Sequence, residues 1–305
     1  MLLILALSHT SQSLRAQVES GESNSTNALP QSVHALKAVG IENFFQLSRR
    51  LYSGSAPEGA EAFAALSALG IKTIITVDGA KPDVTTAAKY GLRYVHLPIG
   101  YDSVPTNQEL RLIKATESLT GPTYIHCHHG SHRGPAAAAV ICMGLEGWSA
   151  SEAEAWLHLA GTSPNYAGLY RSVRNFRPPS QETVRNSPDN FPAIAETSPL
   201  VDTMVKLDEH CENLKTFQKA GFTTLTAHPD LIPGQEALLL KELLTELSRS
   251  TQAGSRDKEF TKLLLESRLA AESLEQGLKN HASGLDAVMK SVTESCTKCH
   301  KRYRN

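Results

Sequence analysis

The sequence predicts two domains of different class, an α/β unit followed by an all-α unit, and three observations carry that expectation. Before residue 175, short β-rich runs alternate with helix-patterned stretches. Between 178 and 199 the chain gathers five of its 15 prolines. After 200, apolar residues recur at three- and four-residue steps, and Gly and Pro are almost confined to connections. A length of 305 residues suits two units at roughly 100–200 residues each.

Composition removes several classes. Lys plus Arg is 30 and Asp plus Glu is 31, a net charge of −1, which argues against a basic nucleic-acid surface and so against a nucleic-acid partner. Hydrophobic residues at 41% and charged residues at 20% describe an ordinary soluble chain. No apolar run reaches the ~20 residues of a transmembrane helix. Five cysteines are too few for a disulfide scaffold.

The N-terminus reads Met1-Leu2-Leu3-Ile4-Leu5-Ala6-Leu7, an apolar run without a positive leader. Ala16 is a small residue where a signal could end, although Leu14 breaks the small-x-small rule. Residues 1–16 therefore read as a signal segment or a frayed terminus. Residues 17–33, rich in Ser, Asn and Glu, read as a disordered lead-in.

In the first domain, 34–178, strands are expected at Lys72 to Val77, Tyr94 to Pro98 and Thr123 to Cys127. Helices are expected at about 58–69, 83–90, 107–119, 136–143, 150–160 and 165–176. Such alternation predicts a parallel-rich sheet flanked by helices. Residues 179–199 form the linker; proline lacks an amide donor and fixes φ, so neither helix nor central strand is expected there.

In the second domain, 200–305, Leu200, Met204, Leu207, Cys211 and Leu214 share one helical face. Further helices are expected from Leu238 to Leu247, from Phe260 to Leu278, and through Leu285, Val288, Met289, Val292 and Cys296. Four amphipathic helices predict a four-helix bundle, a surface through which a homodimer could form.

One segment carries chemistry in the first domain. His126-Cys127-His128-His129-Gly130-Ser131-His132-Arg133 follows a strand and opens an apolar helix. A loop at a helix N-terminus turns successive N–H groups inward as an anion nest. Arg133 can close over two phosphate oxygens as a fork, and a thiol held at that positive centre ionises readily and becomes a nucleophile. The segment resembles the cysteine-dependent phosphatases, specifically the compact dual-specificity-like members, over about residues 35–178. The resemblance implies Cys127 as the nucleophile forming a phosphocysteine, Arg133 as the phosphate clamp and residues 128–133 as the phosphate-binding loop. It also implies an aspartate on the preceding loop as general acid, matched to Asp102, and no metal requirement. One departure stands out: Gly134 occupies a place usually held by Ser or Thr, whose hydroxyl assists the thiolate, and Ser131 is the candidate substitute. A degenerate, inactive site is the alternative. The four histidines and Cys127 also allow a zinc-site reading, although a tight nest splays its side chains outward. Cys142, within an apolar helix, reads as core.

The second motif is Cys296-Thr297-Lys298-Cys299-His300, the pattern of c-type haem attachment. On a helix these three reactive positions share a face. With Lys301-Arg302-Tyr303-Arg304 following, the block resembles the cytochrome c′ and c-556 class. That resemblance implies one covalent haem c on Cys296 and Cys299, His300 as the axial iron ligand, and a redox partner or a diatomic gas at the iron. Met204 reads as a core residue or the sixth ligand, and Cys211 as core. Covalent haem attachment takes place outside the cytoplasmic membrane in this class, which favours the signal reading and a periplasmic location. The combined expectation is an exported phosphatase for a phosphorylated substrate, fused to a haem domain for electron transfer or sensing. The alternative is a haem protein whose first domain only binds anions.

Overall fold

A computed structural model describes residues 29–226 and 228–304. The expected signal segment 1–16 and residues 17–28 of the lead-in lie outside the described residues.

The N-terminal part is built on six strands: β1 (His34–Ala35), β2 (Phe45–Gln46), β3 (Leu51–Gly54), β4 (Thr73–Thr76), β5 (Arg93–His96) and β6 (Thr123–His126). Their order across the sheet is β1-β2-β3-β6-β4-β5. The last four lie parallel, as the β–α alternation requires. The sheet is nevertheless mixed, because β1 and β2 add on antiparallel. Both are two-residue strands, too short to show a period of two in the sequence.

Helices α1 (Gly59–Ala68), α2 (Val84–Lys89), α3 (Thr106–Ser118), α4 (Arg133–Leu145), α5 (Ala150–Leu159) and α6 (Ala167–Asn175) follow the expected stretches. They cover the sheet and split its apolar residues into two clusters. One gathers Ile75, Val95, Ile125, Trp156 and the stretch of α4 from Ala136 to Met143. The other gathers Ile74, Tyr94, Tyr124 and Phe63. Successive strand residues point to opposite faces, so Ile74 and Ile75 fall into different clusters. With both faces covered, β4 and β6 are buried along their whole length, as parallel strands between two helical layers are. Helix α4 is buried from Arg133 to Met143, and small alanines let it lie close to the sheet.

The proline-rich stretch is not a free linker. It contains α7 (Gln181–Asn186), N-capped by the Ser180 hydroxyl on the Thr183 amide. No proline falls between Pro179 and Pro188, so the local hydrogen-bond ladder can close, contrary to the expectation of no helix there. Val184 packs into the main cluster. Farther on, the Pro192 carbonyl accepts from the His96 amide at 2.8 Å, and the Ala195 amide bonds His96 Nδ1 at 3.0 Å. The first unit thus extends well past residue 178.

The C-terminal part is helical: α8 (Pro199–Lys219), α9 (Pro233–Arg249), the single turn α10 (Thr251–Gly254), α11 (Lys258–Lys279) and α12 (Leu285–Tyr303). Ser198, Ser250 and Asp257 cap three of these starts, satisfying amides that lack an intrahelical partner. Leu214, Leu240, Phe260, Leu274, Met289 and Val292 share one apolar cluster. Helix α9 packs extensively on α8 and α11, and α12 on α11, whereas α8 and α12 touch only sparsely. No helix among the described residues is long and apolar enough to cross a membrane.

Candidate active site

Parallel strands end together, and the C-terminal edge of such a sheet is where ligands bind. Here β6 runs into the loop 127–132, which leads directly into α4. Gly130 adopts φ +69°, the left-handed region that glycine occupies without steric cost. A Cβ there would also lie 2.6 Å from Ser55 N and against the Gly54 carbonyl. The backbone N–H groups of residues 129–132 donate to no acceptor among the described residues. Those free donors, at the positive end of α4, make an anion nest.

Cys127 lies at the base of this loop, 4% exposed. Arg133, the first residue of α4, is buried beside it. One terminal nitrogen of its guanidinium donates to Asp78 Oδ2 at 2.8 Å. Its Nε–H is buried and has no hydrogen-bond partner among the described residues. A buried cationic donor left unpaired is costly unless a ligand completes it. Gly134 is seated so tightly that a Cβ would come within 3.1 Å of Cys127 N and 3.4 Å of Cys127 Sγ. Ser131, the expected substitute hydroxyl, is half-buried and instead donates to the His129 carbonyl at 3.3 Å.

Asp78 is a functional residue the sequence reading missed. It sits two residues past the end of β4, the neighbour of β6. Its Oδ2 accepts from the His128 amide at 2.6 Å as well as from Arg133, while its Oδ1 accepts from the Ala80 amide at 3.0 Å. Burial pushes the Asp78 carboxyl upward, but the Arg133 guanidinium, the Ala80 amide and the neighbouring imidazoles outweigh it, so its pKa is lowered from 3.8. Burial likewise works against the Arg133 charge, and Asp78 more than restores it, raising the guanidinium pKa. Both partners are therefore charged at neutral pH.

Asp102 occupies the loop after β5, as expected, but it is exposed and its Oδ1 folds over Gly100. The loop is tied to α6 through the Val104 amide on Ser172 Oγ, 2.9 Å. Tyr101, next to it, forms an aromatic rim with Tyr166 and His132, with centroids 4.6 Å apart for Tyr101–Tyr166 and for His132–Tyr166. Burial raises the Tyr101 phenol to about 12, although Arg133 and Arg304 pull it back.

The loop histidines diverge. His126 points inward against Tyr94 and Tyr124, and burial holds its pKa down at about 4. His132 faces the aromatic rim. His128 and His129, with Asp208 of α8, each place one ligand atom within 4.8 Å of the others; Asp208 was not foreseen in that role. Cys142 is fully buried, as expected.

On α12, Cys296 is half-buried, Cys299 is buried and both thiols are free. Cys211 packs at the edge of the apolar cluster, half-buried, and its interaction with the Cys296 thiol across the α8–α12 seam is the main cause of a Cys296 pKa lowered to about 7. Burial holds His300 down at about 4, helped by Arg304. Met204 borders the same apolar cluster.

Comparison with known proteins covers the N-terminal part. Residues 42–188 match the family model described as PTP-SAK, Swiss Army Knife protein, DSP-PTPase phosphatase domain. The chain is similar to the dual specificity protein phosphatase TpbA of Pseudomonas aeruginosa (strain UCBPP-PA14), 28% identical over 124 residues. That match covers 40% of this chain and 56% of the relative, so the chain spans little more than half the length of that protein. It is also similar to the crystal structure of P. aeruginosa TpbA, with a TM-score of 0.43, 24% identity, and coverage of 48% of this chain and 92% of that one. A cysteine-to-serine variant of TpbA in complex with pTyr gives a TM-score of 0.43 and 23% identity, over 48% of this chain and 90% of that one. The long C-terminal helices lie outside the matched span. Residues 42–188 are a dual-specificity-phosphatase-like domain.

Proposed function

We propose that this domain is a cysteine-dependent phosphomonoesterase. The observation that carries the reading is the unpartnered buried Nε–H of Arg133 beside Cys127, at a loop whose amides are also free. A tetrahedral dianion supplies the acceptors these donors lack. The Cys127 thiolate attacks phosphorus, an S–P bond forms, and the bond to the leaving oxygen breaks. Arg133 and the loop amides hold the non-bridging oxygens, where charge accumulates. Asp78 keeps Arg133 and the His128 amide in place; being ionised and fully engaged, it has no proton to give. Asp102 is the acid for the leaving oxygen, and its carboxyl must swing from Gly100 toward the nest to act. Water then attacks phosphorus, the S–P bond breaks, and thiolate and inorganic phosphate result. The test is release of phosphate from an aryl phosphate by the purified full chain. Turnover that vanishes in Cys127→Ser is expected; no turnover, or equal turnover by the variant, overturns the reading.

For the helical part we infer a haem c site on a four-helix bundle, in an exported, periplasmic protein. The supporting observation is the sparsely packed α8–α12 seam, with free Cys296 and Cys299 on one side and Met204 and Cys211 on the other. Cys296 and Cys299 would hold the group through thioethers, and His300, kept neutral by burial, would ligate the iron. The group would supply electron transfer or gas binding. A pyridine haemochrome spectrum of the protein matured in a periplasm tests this; a c-type band is expected, and its absence refutes the assignment.

A further inference from the structure

The phosphatase-like nest carries a second arginine that arrives from the far end of the chain. Arg304 ends α12, and its guanidinium carbon lies 3.9 Å from the centroid of the Tyr101 ring. One of its terminal nitrogens donates to the Tyr101 hydroxyl at 2.6 Å. Arg133 approaches the same ring at 4.5 Å. The two guanidinium carbons are thus at most about 8.4 Å apart, a separation comparable to the Debye length of about 8 Å at physiological salt.

The two arginines differ in what neutralises them. Arg133 has Asp78. Arg304 has Tyr101, and His300 Nδ1 at 3.5 Å, but no carboxylate within ion-pair distance among the described residues. A cation set at the rim of an anion nest, on an aromatic platform and with only neutral acceptors, is a donor fork lacking an anionic partner.

We propose that Arg304 is a specificity-determining residue of the phosphatase site, and that the substrate is a phosphomonoester bearing a second anionic group. The reacting phosphoryl group sits on Arg133 and the loop amides, and the second anion pairs with Arg304 across Tyr101. The C-terminal helices then complete the substrate site rather than merely sit beside it. The inference rests on the phosphomonoesterase reading above.

The experiment compares phenyl phosphate with 3- and 4-carboxyphenyl phosphate on the full chain, as wild type, Arg304→Gln and Arg304→Lys. The quantity read is the preference, the ratio of kcat/KM for carboxylated over plain substrate. Wild type is expected to prefer a carboxylated ester, and Arg304→Gln to lower that preference about tenfold, mostly through KM. Tenfold corresponds to about 1.4 kcal/mol, ordinary for one charge-assisted pair. Arg304→Lys should recover most of it. A parallel pair of phosphotyrosine peptides with Asp or Asn beside the phosphorylated residue distinguishes an acidic peptide from a small dianion as the source of the second charge. An unchanged preference in Arg304→Gln, with both substrates slowed or both accelerated equally, refutes the proposal and leaves Arg304 as packing or as a cover. If nothing is turned over, calorimetric binding of phenylphosphonate and its carboxylated analogues to the same proteins still reads the preference. Failure of turnover alone then counts against the phosphatase chemistry, and loss of preference alone counts against Arg304.

Discussion

Replacing Asp78 by Asn keeps the shape of the side chain and removes the charge that holds Arg133. The carboxylate is buried, with side-chain exposures of 9% for Asp78 and 10% for Arg133, so solvent does not screen the loss. Breaking a buried pair from one side costs about 3–5 kcal/mol. Asn still offers an acceptor to one of the two amides, which points to about 3 kcal/mol, the lower end of that range. For a unit of this size that corresponds to a Tm lower by roughly 6–12 °C. The chain has two tryptophans, Trp148 and Trp156, both buried in the N-terminal core, so intrinsic fluorescence follows this unit without interference from the C-terminal helices. Activity should fall further than stability: a clamp misplaced by about 1 Å costs on the order of 100-fold in kcat/KM. The pH dependence has a definite sign. Folding lowers the Asp78 pKa, so its contribution is complete above the ordinary value of 3.8 and fades as pH falls through the lower folded value. Wild type and Asp78→Asn should differ fully at pH 7 and converge in strong acid. A Tm shift under about 2 °C, less than 1 kcal/mol on the same scale, together with unchanged kcat/KM, would refute the role given to Asp78.

Gly130→Ala forces a left-handed conformation on a residue with a Cβ, about 1–2 kcal/mol, and drives that Cβ into the Gly54–Ser55 backbone. The expected result is a loss of more than about 2 kcal/mol in urea denaturation followed by tryptophan fluorescence, with phosphate release abolished. Wild-type behaviour in both assays would show that the loop does not need this geometry. Cys296→Ser leaves one thioether to the proposed haem, so the pyridine haemochrome maximum should move to longer wavelength. An unmoved band would mean that Cys296 holds no vinyl group.

The loop from Cys127 to Arg133 was legible because its parts are contiguous. Cys127, Gly130 and Arg133 lie within seven residues, and a strand before with an apolar helix after is enough to make a nest. Three of the four parallel strands, β4, β5 and β6, were legible for a similar reason, each lying in a β-rich run long enough to read; β3, Leu-Tyr-Ser-Gly, is as buried and parallel to β6 but was not expected. The two-residue strands β1 and β2 carry no such signal. Helix α7 was hidden by the prolines on either side of it, although Ser180 and the proline-free stretch after it were the available cue.

By itself the sequence determined the chemistry of short segments: a thiol and a guanidinium around an anion nest, two thiols and an imidazole on one helical face, and the two-part organisation. The tertiary structure decided what those segments meet. Asp78 reaches the nest because sheet order places β4 beside β6, a choice made by which apolar faces the crossover helices bury. Arg304 meets Tyr101 across 203 residues of chain, through helix packing that no local spacing encodes. Contiguous motifs are fixed by backbone geometry over a few residues, whereas these partners depend on burial summed over the whole molecule.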